Sequence, residues 1–161
     1  MSTFQNQNQF AQTPLLGQVD LISGPNNIFS ARIDPASTAT QAQLQAGCAM
    51  RIVDIQGNEI IVDTCAITAL ADGVIIYNPR KNQYAAGDVL ELAGEGSVVY
   101  METSAAIARG ARVQAASATS LIATRASTNY SIGKCLDKPT AANVLARVRI
   151  SPATDTGTVG T

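Results

Sequence analysis

The amino-acid sequence predicts an all-β protein: a compact antiparallel barrel or sandwich with one short helical turn and an extended N-terminal arm. Short apolar runs follow one another closely and are separated by glycine-containing turns, which is typical of barrels and sandwiches. No long amphipathic helix competes with this pattern, and the stretch 36–46 is a weak helical candidate.

The clearest strands form a predicted β-hairpin. Residues 50–55 and 59–64 flank Gln56-Gly57-Asn58, a short glycine-containing loop. In the second arm of the hairpin, Ile60 and Val62 fall on one face, as the two-residue period of a strand requires. Further strands are predicted at 74–77, 88–92, 97–102, around Val113, and at 121–124, 132–136 and 144–150.

The last of these strands alternates most cleanly. Its apolar residues are expected to face inward and its two arginines, Arg147 and Arg149, outward. The inward set is Val144, Ala146, Val148 and Ile150.

Two central strands, Val74-Ile75-Ile76-Tyr77 and Val98-Val99-Tyr100-Met101, are apolar on both faces. One face can fill the core, and the other must be covered by a second sheet, an arm or a neighbouring subunit. Only 14% of the residues are charged and the net charge is −1, against about 25% charged residues in typical soluble domains. This deficit favours a neighbouring subunit as the cover, because a nearly neutral surface tends to associate.

The stretch YMETSAAIARGARVQ, residues 100–114, predicts a single helical turn between two strands. Ser104 can cap the start of the turn, Arg109 complements the carbonyl end, and Gly110 can adopt the left-handed conformation that ends it. A helix this short, far below about 12 residues, needs packing from elsewhere. We therefore expect Ile107 to plug one end of the barrel.

The chain is expected to divide into an uncharged arm, 1–18, a barrel or sandwich domain, 19–150, and a flexible tail, 151–161. The arm is rich in glutamine and asparagine, and composition alone also allows a disordered polar terminus. The competing interpretation is an arm that becomes ordered on a partner. Its apolar anchors would be Phe4, Phe10, Leu15 and Leu16.

The residue content argues against most enzymatic and ligand-binding classes. The chain has no histidine and none of the glycine-rich phosphate-binding or nucleophile motifs. The three cysteines are widely spaced, so reduced structural thiols are expected, with no metal, cofactor or catalytic residue. There is no basic stripe for nucleic acid, no run long enough to span a membrane, and no sign of a small-molecule substrate. Without a signal peptide, we expect synthesis in a cytoplasm.

Carboxylate chemistry is an alternative that the sequence leaves open. Asp54, Glu59 and Asp63 lie on the predicted hairpin, and a suitably separated pair could hydrolyse a glycoside. Solvated charges that protect a strand edge are the simpler interpretation. Sugar binding is also disfavoured by the absence of tryptophan and by the dispersal of the four tyrosines.

From Gly73 to Ile150 the order of features resembles small bacteriophage structural proteins of the capsid decoration, or cement, class. The segments are DGVIIYNP, AAGDVLEL, GSVVYMETSAAIARGARVQ and IATRASTNYSIGKCLDKPTAANVLARVRI. The resembling elements fall at Ala105, Ile107, Gly110 and Val113, at Ile132, Gly133 and Leu136, and at 144–150. The region up to about Leu70 shows no recognisable counterpart.

The resemblance implies a homotrimer on the outer surface of an icosahedral phage head, where it bridges neighbouring major capsid protein subunits. The turn at 104–110 would then lie near the trimer axis, and the arm would contact the capsid. A tail, fibre or head-completion protein is the alternative within the virion.

Overall fold

The computed structural model describes residues 14–21, 25–81, 83–116, 121–126 and 129–153. It is built almost wholly from β-strands, and Gln41–Gln43 is the single 3-10 turn assigned in the described ranges. The strands are β1 Ile28–Ile33, β2 Ala49–Gln56, β3 Glu59–Thr64, β4 Gly73–Ile75, β5 Val89–Ala93, β6 Val98–Thr103, β7 Arg112–Ala115, β8 Leu121–Thr124, β9 Ser131–Cys135 and β10 Leu145–Ala153.

The strands close into two barrels that follow one another along the chain. The first has the order β1-β3-β2-β4-β5, and β5 returns to pair with β1. The second has the order β6-β8-β7-β9-β10, and β10 returns to pair with β6. In each barrel the first and third strands are parallel and all other pairs are antiparallel. The second barrel therefore repeats the topology of the first, with β6 equivalent to β1 and β10 to β5.

The hydrogen bonds that join the strands repeat as well. Asp34 N donates to Val62 O at 2.8 Å after β1, and Ser104 N donates to Ile122 O at 2.8 Å after β6. Before the last strand of each barrel, a residue with positive φ donates back to the end of the first strand. The residues are Gly87, φ 83°, bonded to Ile33 O, and Asn143, φ 57°, bonded to Thr103 O.

The loop before the second strand of each barrel repeats in the same way. Gly47 N donates to Ile75 O, and Gly110 N donates to Cys135 O. Both glycines have φ near +83° (83° and 82°), a conformation that costs an L side chain free energy. Three residues earlier, Leu44 and Ile107 occupy equivalent positions, and both side chains are fully buried. Each barrel thus carries one large apolar side chain in the same loop.

This repeat corrects the predicted helical turn at 104–110. Ile107 is buried in the core as expected, and Gly110 has the expected left-handed conformation. The segment forms a bend and a turn, however, and not a helix. Ser104 does not cap a helix, because its Oγ donates to Ile122 O at 3.1 Å. Hydrogen bonds to residues far along the chain, Ile107 N to Pro139 O and Gly110 N to Cys135 O, hold the loop in place of helical ones.

The described residues form two hydrophobic clusters, one of which extends across the junction of the barrels. Inside the first barrel lies a cluster that includes Ile33, Leu44, Met50, Ile75 and Leu92. A larger cluster fills the second barrel and extends across the junction to residues of the first. These junction residues are Ala49, Cys65, Ala71, Val74 and Ala93.

This junction explains why β4 is apolar on both faces. Neighbouring residues Ile75 and Val74 belong to the first-barrel cluster and the shared cluster respectively. The preference for a neighbouring subunit as the cover is therefore wrong for β4, whose second face is covered by the other barrel of the same chain. The sequence predicted a single barrel or sandwich, whereas the chain forms two barrels.

The predicted strands are otherwise confirmed within a few residues. β1 was not predicted, because Ile28–Ile33 alternates weakly and includes the exposed Ile28 and half-buried Phe29. In β10, Ala146, Val148 and Ile150 are fully buried as expected. Val144 precedes the strand and is 39% exposed, so its predicted inward position is wrong.

The segment Gly17–Asp20 links the two barrels. Gly17 N donates to Tyr100 O, Tyr100 N to Gln18 O, and Asp20 N to Val98 O, so that the segment lies antiparallel along β6. Gly17 O accepts a hydrogen bond from Tyr77 N, at the end of the β4 segment. A side chain at Gly17 would meet Ala46 Cβ at 2.8 Å, and φ there is +76°. Glycine is required here by both space and conformation.

Candidate interaction surface

The residues expected to anchor the arm are only partly within the described ranges. Phe4 and Phe10 lie outside them. Leu15 is 45% exposed and Leu16 is half-buried, beside the segment that pairs with β6. Ser104, Arg109 and Gly110 lie on the surface loop that carries Ile107, on the second barrel. The structure therefore places the two expected contact regions on different elements.

The longest hairpin of the molecule projects from the first barrel. β2 and β3 contain 8 and 6 residues, whereas their equivalents β7 and β8 contain 4 each. All residues from Val53 to Asn58 are exposed, and Ile55 is 62% exposed. We use the name hairpin face for the exposed apolar residues of this hairpin, Val53 and Ile55. The sequence did not predict this surface, because the interpretation of the hairpin rested on its charged residues and not on its exposed apolar ones.

A cleft of about 300 Å³ lies beside the hairpin. Its floor and walls include the apolar Val53 and Ile61 and the ion pair of Arg32 and Glu59, whose Nε and Oε1 are 2.9 Å apart. A second opening, of about 240 Å³, lies on the other side of this ion pair and is bordered by Ser30, Ile60 and Val89. The hairpin face thus combines apolar side chains with shallow concavities and little net charge.

The three carboxylates of the hairpin are each bonded to neighbouring groups. Asp54 accepts hydrogen bonds from Ile55 N at 2.8 Å and Gln56 Nε2 at 2.9 Å. Asp63 accepts from Ser37 Oγ and Thr64 N, both at 2.7 Å. Since Glu59 pairs with Arg32, all three side chains have a structural role in shaping the hairpin and its surroundings.

An ion-pair network fixes the segment Gly17–Asp20 to the second barrel. Arg147 of β10 binds Asp137 through Nη2 at 2.7 Å and approaches buried Asp20 through Nη1 at 3.5 Å. The guanidinium of Arg147 lowers the pKa of Asp137 from its ordinary 3.8. Arg147 is therefore an outward residue, as predicted, but a partnered one.

The three thiols are buried and free. Burial raises the pKa of Cys48 and of Cys65 to about 11 and also raises the pKa of Cys135. These cysteines are protonated at neutral pH, in keeping with the structural role expected for them.

Two further classes of site are not found in the described part of the chain. No group of three or more Cys, Asp or Glu side chains there could hold a metal ion. No helix of the described ranges is long and apolar enough to cross a membrane.

A protein-family model described as phage cement protein matches residues 38–150. The chain belongs to the phage cement protein family. The match confirms the resemblance seen between Gly73 and Ile150, and it also includes the hairpin and the loop that carries Leu44. The expectation that the region up to Leu70 has no counterpart in the family is therefore wrong from residue 38 onward.

A solved structure of similar fold is the head fiber gp8.5 N base of bacteriophage phi29. The two chains superpose with a TM-score of 0.51 at 14% sequence identity, covering 79% of this chain and 95% of that chain. At this identity the likeness concerns the fold alone. No curated protein sequence matches the chain. The family makes this cement protein a phage structural protein and a component of the virion.

Proposed function

We propose that this cement protein binds the outer surface of an icosahedral phage head as a homotrimer and stabilises the shell by bridging neighbouring major capsid protein subunits. The single observation that carries the proposal is the family match over residues 38–150. The low charge of the chain, 14% of residues, supports an assembly role for its surfaces.

The hairpin face is the proposed shell-contacting surface of the first barrel. Val53 and Ile55 are 38% and 62% exposed, and burying such side chains against a partner contributes roughly 1.5 to 3 kcal/mol each at full burial. Of the arm residues, Leu15 and Leu16 are proposed as a second contact with the shell, and the loop Ser104–Gly110 is proposed to lie near the trimer axis.

A trimer would strengthen weak individual contacts. Once one subunit is docked, the other two bind at high effective concentration, which can raise the overall affinity by roughly 10² to 10⁴. Because the contacts are mostly uncharged, binding should be nearly insensitive to salt.

The proposal is tested with purified protein and phage heads that lack it. Sedimentation should show a trimer at micromolar concentration, and the protein should bind heads saturably and raise their disruption temperature. A monomer that does not bind heads would contradict the proposal.

A head-fibre component is the second candidate, favoured by the fold shared with the phi29 head fiber base. Electron microscopy of particles carrying the labelled protein separates the two candidates. A cement covers the whole head at regular lattice positions, whereas a fibre base marks separate sites from which a further structure projects, and a tail component marks one vertex.

A further inference from the structure

The repeated barrels differ at one strand edge. In the second barrel, β8 pairs with β6 only at Glu102 and Thr103, and the preceding half of β6 is paired with the segment Gly17–Asp20. In the first barrel, β3 pairs with β1 only at the equivalent positions, Arg32 and Ile33. The preceding half of β1, residues 28–31, is paired with β5 on its other side.

The positions that receive Gly17–Asp20 on β6 have direct equivalents on β1. Phe29 is the equivalent of Val99, because Phe29 pairs with Leu92 of β5 and Val99 with Val148 of β10. Ser30 is the equivalent of Tyr100, because Ser30 pairs with Glu91 and Tyr100 with Arg147. The N–H and C=O of Tyr100 bond to Gln18 and Gly17, so the same groups of Ser30 point to the β3 side. There, no strand among the described residues pairs with them, and the 240 Å³ opening bordered by Ser30 and Ile60 lies at this place.

We propose that this edge of β1 is a β-augmentation site, and that its occupant is residues 1–13 of a second copy of the chain. An added strand would bond to Ser30 and Ile28 as Gly17–Asp20 bonds to Tyr100 and Val98. Main-chain hydrogen bonds supply the affinity in this mode of recognition, and alternate side chains supply the specificity.

The chemistry of residues 1–13 matches the edge. They contain no charged side chain, and the charges at the opening, Arg32 and Glu59, neutralise one another at 2.9 Å. Phe4 and Phe10 are an even number of positions apart, so both would project from one face of an extended strand. That face can contact the apolar Val89 at the opening, which lies on the same side of the sheet as Ser30.

The connectivity favours a second copy over the same chain. Gly17 is bonded to Tyr77, after β4, whereas the free edge of β1 lies on the far side of β5 and β1. Asp20 lies at the start of β6, near Asn26 and the start of β1, so the chain preceding Gly17 runs away from the start of β1. Thirteen extended residues span up to about 45 Å. This length exceeds the roughly 15 Å radius of gyration of a chain of this size, so residues 1–13 are long enough to reach a neighbouring copy.

Cysteine cross-linking between two populations tests the proposal. One population carries Ser30→Cys and the other Asn8→Cys, which lies on the same strand face as Phe4 and Phe10, and the two are mixed and oxidised as full-length protein. The native thiols give little background because they are buried and, for Cys48 and Cys65, have a pKa of about 11. Thr124→Cys, exposed at the end of β8, replaces Ser30→Cys in the control mixture.

The expected result is a product of twice the chain mass, at least fivefold more abundant than in the control mixture. Equal yields in the two mixtures would overturn the proposal. A Ser30→Cys/Asn8→Cys double variant that closes on itself, with no doubled mass in the mixture, would assign the edge to the chain's own residues and also overturn it.

Hydrogen exchange provides an independent measurement on a variant lacking residues 2–13. The Ser30 amide should exchange at least tenfold faster in this variant than in the full chain. The Tyr100 amide is the internal control, because its acceptor, Gln18 O, is retained. Protection of Ser30 that appears only on phage heads would instead identify a segment of the shell. Since these experiments use free protein, their failure leaves the proposed attachment to heads untouched.

Discussion

At the scale of single residues, close backbone packing determines which substitutions the fold can accept. Gly133 in β9 lies against β10, and a Cβ there would overlap Arg149 O and lie 3.2 Å from Ile150 Cα. Both of these are backbone atoms, which cannot move aside as a flexible side chain can. Gly96, by contrast, has open space around it but φ of +91°.

We expect Gly133→Ala to lower the free energy of unfolding by about 3 kcal/mol, because the strands must separate to admit the methyl group. Gly96→Ala is the control and should cost about 1 kcal/mol, the strain of a positive φ. Urea denaturation of the two variants measures both values. Equal losses would show that β9 and β10 can adjust at Gly133.

The Arg147–Asp137 ion pair predicts an acid-dependent contribution to stability. The pKa of Asp137 is lowered below its ordinary 3.8 in the folded chain, so the stabilisation is complete at neutral pH and is lost as pH falls through 3.8 and below. The side chains are 38% and 32% exposed, which limits the effect to about 1 kcal/mol or less.

Asp137→Asn should therefore lower the melting temperature at pH 7 and have a smaller effect at pH 2.5. Thermal denaturation across this range measures the difference, with Glu95→Gln on an exposed turn as the control. A destabilisation of Asp137→Asn that is equal at both pH values would contradict the assigned role of the ion pair.

At the scale of elements, the loops that carry Leu44 and Ile107 each bury one large apolar side chain but differ in local structure. The loop of Leu44 contains a 3-10 turn, in which Gln43 Oε1 accepts a hydrogen bond from Thr40 N at 2.8 Å. The loop of Ile107 is a bend held by backbone hydrogen bonds to distant residues, such as Ile107 N to Pro139 O. What the two loops share is the buried apolar side chain and the glycine three residues later.

Leu44→Ala and Ile107→Ala should each lower the free energy of unfolding by about 2 to 5 kcal/mol, the range for emptying a well-packed site. Arg109→Ala, on the exposed part of the same loop, should change it by less than about 0.5 kcal/mol. Denaturant titrations of the three variants measure the losses. A loss below 1 kcal/mol for Leu44→Ala or Ile107→Ala would show that the packing of that side chain contributes little to the stability of its barrel.

The helical turn expected at 104–110 shows where local sequence signals fail. Ser104, Arg109 and Gly110 fit a helix by their local preferences, yet six residues cannot sustain a helix without tertiary support. In the folded chain Ser104 Oγ instead donates a hydrogen bond to the carbonyl of Ile122. Local sequence cannot predict this bond, because the two residues are far apart along the chain.

At the scale of the whole molecule, the hairpin face distinguishes the first barrel from its repeat. The double variant Val53→Ser/Ile55→Ser should reduce binding to phage heads at least tenfold with little change in stability, because both side chains are exposed. The control is Val144→Ser, also exposed but on the second barrel. Sedimentation of heads with each labelled variant measures binding. Unchanged binding of the double variant would exclude the hairpin face as the contact.

Fold class, most strands and the family could be predicted from the sequence, since strand period, turn glycines and the segment 96–114 are local features. The division into two barrels could not. Equivalent positions carry different residues, such as Ile33 and Thr103 or Ile75 and Cys135, and the loops between them differ in length. The two barrels repeat the same strand order and the same backbone hydrogen bonds, and neither can be recognised from the identity of the side chains. The hairpin face was missed because exposure of Val53 and Ile55 depends on how far the hairpin extends beyond the barrel.

The pairing of Gly17–Asp20 with β6 has a consequence for synthesis. β1 to β5 can close as soon as Ala93 has left the ribosome, because the first barrel needs no later strand for its ring. Gly17, translated before all of them, must wait for Tyr100 before its N–H has its acceptor. A segment made before every strand of both barrels is thus among the last to be fixed, and a nascent chain truncated before residue 98 should carry a closed first barrel with Gly17–Asp20 unpaired.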